Sequence, residues 1–122
     1  MPTEKVNLAE KLARFREHWS PKIVAQLNGQ DVRLAKILGA FDFHHHADAD
    51  ELFLCVAGHF RMEFRDQPAV ELTPGELLVV PRGVEHRPVA DEEAHILLFE
   101  PSGMLNTGNL QNERTHAVLE TV

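Results

Sequence analysis

The spacing of apolar residues changes once along the chain. Leu8, Leu12, Phe15 and Trp19 recur three or four positions apart while Glu10, Lys11, Arg14 and Glu17 fall outside that stripe, which is the pattern of one helix face. Asn7 followed three residues later by Glu10 forms a capping-box start, and Ser20-Pro21 closes the segment. The pattern predicts a helix within the first twenty residues, its stripe packing as a lid on the following structure or on a second subunit. An aromatic stripe of this kind is expected to serve packing rather than ligand contact.

From Lys22 onward the period drops to two. Ile23 to Leu27 reads as a strand, Asn28-Gly29 as a two-residue hairpin turn, and Val32 to Leu38 as the partner strand. Leu52 to Ala57 is almost continuously apolar, as expected of a strand buried on both faces. Phe60, Met62 and Phe64 alternate with His59, Arg61, Glu63 and Arg65. Asp66-Gln67-Pro68 and Thr73-Pro74-Gly75 mark turns around a short strand, Val70 to Leu72. Glu76 to Val80, His86 to Val89 and His95 to Glu100 supply further strands. Beyond Pro101 a polar stretch reads as loop, and Thr115 to Val122 as an edge strand or a tail packed on a neighbour. Many short strands with a turn every eight to twelve residues predict an all-β sandwich or barrel. The lead-in is placed at residues 1–21 and the barrel at residues 22–122, as one domain.

Composition narrows the partners. Of 122 residues, 12 are basic and 19 acidic, for a net charge of −7, which argues against a nucleic-acid or anionic-membrane partner. A small-molecule ligand and a cation fit better. Cys55 is the single cysteine, so no intrachain disulfide forms, and the expected location is the cytoplasm. No apolar run has the length of a signal peptide or membrane span. There is no tyrosine, which excludes any chemistry that needs a phenol, including a Cys-Tyr crosslink.

The candidate chemistry lies in two segments. In His44-His45-His46 the first and third side chains share a strand face, roughly 6–7 Å apart along the backbone, while His45 points the other way. Four residues separate His46 from Glu51, enough for a bend that returns the carboxylate to the same side. Pro81-Arg82-Gly83 is turn chemistry that can present His86 from a second hairpin. Three imidazoles and a carboxylate suit zinc, copper, iron or nickel, and manganese as the oxygen share rises. Asp42, Asp48 and Asp50 crowd the same run, either as a field that draws cations or as solvated turn carboxylates. Alternation from Glu51 puts Phe53 and Cys55 on the pocket side, Phe53 as a substrate-binding candidate and Cys55 as inert filling. His59 and His95 lack ligand spacing.

These segments resemble the two motifs of the cupin superfamily, G(x)5HxH(x)3-4E(x)6G and G(x)5PxGxxH(x)3N. The first corresponds to Gly39, His44, His46, Glu51 and Gly58, with the opening gap one residue short. The second corresponds to Gly75, Pro81, Gly83 and His86, with Ala90 where the pattern has Asn. The resemblance implies a double-stranded β-helix, or jelly-roll barrel, carrying one divalent metal ion on His44, His46, Glu51 and His86. Four protein ligands on an octahedral ion leave two positions open, the mark of a catalytic rather than a structural site. Similar barrels include oxygenases, isomerases, lyases and non-catalytic sugar or effector binders, commonly as two-fold dimers. The expected function is therefore a metal-dependent dioxygenase, isomerase or lyase acting on a small oxygenated molecule. The alternative is a binding or sensing module, kept open because no acid/base pair stands out in the sequence.

Overall fold

The computed structural model describes residues 3–122. It contains one helix, α1 (Leu8–Leu12), and seven strands: β1 (Lys22–Leu27), β2 (Gln30–Ala40), β3 (Glu51–Ala57), β4 (Phe60–Phe64), β5 (Val70–Leu72), β6 (Leu77–Val80) and β7 (His86–Pro101). β1 and β2 are joined at Asn28 and Gly29, both at positive φ, the turn whose twist matches that of the flanking strands. Strand order is β1-β2-β7-β3-β6, with β4 also on β7 and β5 on β4. All of these pairings are antiparallel. β7 thus belongs to both halves of a jelly-roll barrel. Its first residues pair with β4, its last with β3, and β2 runs along both ends.

Three expectations are corrected. The helix has about one turn and a half, not the roughly three turns that Leu8 to Trp19 would span: Asn7 caps it through Glu10 N–H, and Ala13 ends it. Leu12 and Phe15 bury on the outside of the barrel against Val24 and Leu34, whereas Trp19 packs with the interior cluster. A single straight helix cannot reach both cores, so the chain unwinds between them. Trp19 takes φ 58° and donates its N–H to Lys36 O. The two strands expected at the end of the barrel are one, because Asp91, Glu92 and Glu93 are an exposed stretch of β7 rather than a turn. The β3 run is not equally buried on both faces: Glu51, Phe53 and Cys55 face the core, while Leu52, Leu54 and Val56 face outward and are half-buried.

The interior holds Ile37, Phe53, Phe60, Met62, Val80 and Ile96. Two buried lysines secure the lead-in from outside. Lys36 Nζ donates to Phe15 O at 2.7 Å, and Lys22 Nζ lies 3.6 Å from Glu17 and 3.5 Å from Glu120. The C-terminal segment forms one bridge to β1, Ile23 with Thr121, instead of a full strand. The outer face carries two cross-strand apolar rows, Val32-Phe99-Leu52-Val79 and Leu34-Leu97-Leu54-Leu77. The lead-in covers Leu34, but Leu77 and Val79 are 59% and 49% exposed.

Candidate metal centre

His44 and His86 face each other in a bridge closed by two backbone hydrogen bonds, His44 N–H to His86 O (3.0 Å) and His86 N–H to His44 O (2.9 Å). This pairing brings the two motifs together. Residues 81–84 form the turn before β7, closed by Val84 N–H to Pro81 O with Gly83 at φ 80° in the third position, which needs a glycine. Gly83 N–H then donates to His46 O at 2.8 Å, and Asp50 Oδ1 accepts Arg82 N–H at 2.9 Å. The turn is therefore pinned to both ends of the first motif. Gly58 closes that motif, at φ 76°, where a Cβ would stand 2.9 Å from Glu93 O. Gly108 is tighter still: a Cβ there would stand 2.2 Å from His45 O and 3.0 Å from the His44 ring.

His44, His46, Glu51 and His86 are all buried, and one donor atom from each lies within 4.8 Å of the other three. Two donors on opposite sides of one ion, with bonds of about 2.1 Å, stand about 4.2 Å apart. The set closes on an ion with small shifts. His44 and His86 each use Nδ1 on the carbonyl two residues earlier, Asp42 O at 2.9 Å and Val84 O at 2.8 Å. That fixes the ring orientation and leaves Nε2 as the free lone pair, as metal-binding histidines require. His46 Nε2 lies 3.0 Å and His86 Nε2 3.5 Å from Glu51 Oε1. These three atoms are buried and make no hydrogen bond, although buried polar atoms are almost always paired. The donor set fits a divalent transition ion.

The electrostatics match. Burial, with His86 beside it, lowers His44 to about 4, so it is a neutral donor near pH 7. Burial alone would raise Glu51, but the Glu100, His46 and His86 side chains crowded against it hold it well below the usual carboxylate range. Burial and the Glu51 charge push Glu100 well above that range. Two adjacent carboxyls are thus driven apart in proton affinity. Glu100 is the pocket-lining carboxyl that sequence reasoning missed, since it lies in no motif and only the inward alternation of β7 places it beside Glu51. It is held by a buried network in which Arg33 donates to Glu100, to Met104 O and, at 2.9 Å, to Asp31. Burial would raise Asp31, but hydrogen bonds from Ser102, Gln26 and Arg33 lower it.

An apolar pocket opens over His44, Glu51 and Glu100, walled by residues including Phe41, Phe53 and Trp19. Phe53 stands on the side expected, edge-on to His86 at 5.8 Å between ring centres. Trp19, assigned to packing from the sequence, packs on the interior cluster and stacks on Phe41 at 4.8 Å, and it also walls the pocket. His45 lies off the donor set, its N–H donating to Asn109 Oδ1. Cys55 is buried, and burial pushes its thiol up. His59 pairs with Glu71 and His95 with Glu93, both outside the donor set. Asp42 and Asp50 spend their carboxylates on Asn112 and Arg82, and Asp48 is exposed, so Glu51 alone brings a carboxylate from the acidic run to the donors. Ala90, in the place of the motif Asn, is core.

A jelly-roll barrel with this donor set defines a class, and the sequence bears it out. The chain belongs to the cupin family, whose Cupin domain it matches over residues 24–100. It is 38% identical over 64 residues to the uncharacterized protein YdbB of Bacillus subtilis (strain 168), a match spanning 52% of this chain and 57% of that protein. The chain's match thus covers little more than half the length of that relative. The crystal structure of a cupin-2 domain containing protein from Shewanella frigidimarina NCIMB 400 superposes with a TM-score of 0.77 at 43% identity, covering 79% of this chain and 93% of that one. Protein NMB1881 from Neisseria meningitidis gives 0.74 at 33% identity, covering 81% and 100%.

Proposed function

We propose that this cupin is a metal-dependent enzyme acting on a small oxygenated molecule, as a dioxygenase or as an isomerase or lyase of an enolisable substrate. His44, His46, Glu51 and His86 hold one divalent ion, which can be iron, manganese, nickel, zinc or copper. The observation that carries this reading is the trio of buried, unpaired donor atoms on His46, Glu51 and His86. Each such atom costs about 1–3 kcal/mol when nothing satisfies it, and an ion satisfies all three at once. The ion, when bound, supplies Lewis acidity toward a substrate oxygen and, where redox-active, a means of activating dioxygen. The protein supplies the rest. Phe53 and the neighbouring apolar wall exclude water and orient the substrate over the donors. Glu100, the further carboxyl lining this pocket, exchanges a proton with the bound molecule while Arg33 holds it in place.

A symmetric homodimer in the cytoplasm completes the reading. The outer rows ending in Leu77 and Val79 support the dimer, since an apolar patch beside an edge strand favours a second copy. No helix among the described residues is long and apolar enough to cross a membrane.

The test is to load the protein anaerobically with iron(II) and add nitric oxide. The expected result is a nitrosyl adduct with the protein donors retained, which demonstrates an exchangeable position. Turnover that consumes dioxygen then marks an oxygenase, and oxygen-independent turnover with manganese, nickel or zinc marks an isomerase or lyase. Ligand returned unchanged with every metal, under air and without it, would instead mark a binding or sensing module.

A further inference from the structure

The family match ends at Glu100, yet the chain beyond it closes over the donor set. Residues 105–116 form a compact loop whose ends meet at a neck. There Asn106 donates to Arg114 O at 2.7 Å and accepts His116 N–H at 2.9 Å. Thr107, fully buried, donates to Leu110 O at 2.7 Å and pairs with the Thr115 hydroxyl at 2.6 Å. A loop packed on its own side chains in this way behaves as one body. Outside the neck the chain is anchored to the barrel: Met104 O accepts from Arg33 at 3.1 Å, and Glu120 O accepts Ile23 N–H at 2.8 Å. Between His116 and that second anchor, Val118 is 88% exposed.

Polar, solvent-exposed ties hold this body down. Asn112 Nδ2 donates to Asp42 Oδ2 and Arg114 donates to Ala40 O, each at 3.1 Å and each exposed. The Arg114 guanidinium also lies 5.6 Å from the Trp19 ring centre and 5.3 Å from that of Phe41. Nearer the donors, Asn109 N–H donates to His45 O at 3.0 Å, and Asn109 Oδ1 accepts His45 N–H at 2.9 Å. Underneath, the loop borders two spaces that meet the donor set. Asn106 walls the pocket that His44 and Glu51 line, while Leu105, Gly108 and Asn109 wall a cavity of about 270 Å³ that His46 lines.

His44, His46, Glu51 and His86 are 3%, 4%, 4% and 1% exposed, so an ion reaches them only when a wall moves. The strand walls are held by ladder pairing. Trp19 is held to β2 by its N–H on Lys36 O at 2.9 Å and its Nε1 on Leu38 O at 3.0 Å. The Asn106 side chain makes both of its hydrogen bonds within its own loop. We infer that residues 105–116 are a lid, which swings as a unit about Leu105 and residues 117–119, bares the donors to let the ion and a small molecule in, and then closes over them. The inference rests on the metal-dependent reading above and adds to it the segment that gates the site.

Asp42→Ala with Arg114→Ala tests this, because the pair removes two ties and leaves the bonds within the loop intact. An exposed hydrogen bond contributes about fivefold to such an equilibrium. In wild type, hydrogen exchange read by mass spectrometry should show peptides from residues 105–116 exchanging together and ahead of β2, β3 and β7. In the double variant they should exchange at least tenfold faster, with the strands unchanged. Stopped-flow zinc uptake and chelator-driven zinc release should both quicken at least tenfold, with affinity unchanged within threefold, because a lid alters access and not the bound state. Failure of wild type to take up zinc would overturn the metal-dependent reading. Zinc held by wild type, with residues 105–116 exchanging in step with the strands, would overturn the lid alone, and this arm decides even if the double variant fails to fold. A loop no looser in the folded variant, or a looser loop with unchanged zinc kinetics, would overturn it as well. Faster release without faster uptake would make the loop a support of the donors rather than a lid.

Discussion

Gly108 lies outside both metal-site motifs, yet the structure makes it a support of the site, and Gly108→Ala should show it. Its φ of 58° puts an L side chain in the left-handed region, which costs about 1–2 kcal/mol. The new Cβ would also stand 2.2 Å from His45 O, a backbone atom that cannot rotate away, and 3.0 Å from the His44 ring. Overpacking of this kind adds about 1–3 kcal/mol. If the loop backs off instead, it gives up Asn109 N–H to His45 O (3.0 Å) and His45 N–H to Asn109 Oδ1 (2.9 Å), about 1 kcal/mol each. Either route gives a total loss of about 2–5 kcal/mol. Gly103→Ala is the control: its φ is 85°, but nothing lies within 4 Å of its Cβ, so it should lose only the conformational part. Urea unfolding of both metal-free variants gives the difference, and a chelator competition gives zinc affinity, which should fall in G108A alone. Equal losses in the two variants would refute the claim that the loop buttresses the His44–His45 backbone.

Further outcomes follow from the site and the surface. His46→Ala and His86→Ala should each abolish stoichiometric zinc measured by mass spectrometry, whereas His45→Ala should leave it nearly unchanged. In the metal-free protein His44 titrates at about 4 rather than 6.5, so below 6.5 the unfolded chain binds a proton that the folded one refuses. Stability should therefore fall as pH drops through that window, by about 2 kcal/mol at pH 5. The check is denaturant unfolding of wild type against His44→Asn, and an imidazole titrating near 6.5 by NMR would contradict it. Leu77→Glu with Val79→Glu should convert a dimer of twice 13.8 kDa into the monomer by light scattering, with the far-UV spectrum unchanged.

The two metal-site segments were legible because strand alternation and turn chemistry are local. The two histidines of His-x-His share a face whatever surrounds them, and Pro-x-Gly fixes a turn by its own sterics. The Asn28-Gly29 hairpin was legible for the same reason. What escaped notice depends on distant partners. Glu100 sits fourteen residues beyond His86 among ordinary strand residues, and only the pairing of β7 with both β2 and β3 brings it to Glu51. Trp19 has helical spacing, but the barrel offers its neighbours one core outside and its indole another inside, and two separated cores outweigh a weak local preference. Asp91-Glu92-Glu93 looks like a turn because three acids avoid a core, and here they lie along an exposed stretch of strand.

That acidic stretch has a consequence for how the barrel tolerates change. β2 and β7 fall out of step there, between the pairs Ile37–Ala94 and Gly39–Ala90, so β7 spends two residues more than β2 in crossing it. Two is the repeat of a strand. His86, Pro88 and Ala90 on one side, and Ala94, Ile96, Leu98 and Glu100 on the other, therefore all face inward. The loose segment acts as a phase-keeping joint: an insertion or deletion of two residues there would preserve the inward row. A change of one residue would turn Ile96, Leu98 and Glu100 out to the surface and bring His95, Leu97 and Phe99 into the pocket, while His86 stayed in place. The two ends of β7 can thus vary in separation only in even steps, and the joint, remote from the donors, determines whether Glu100 reaches them.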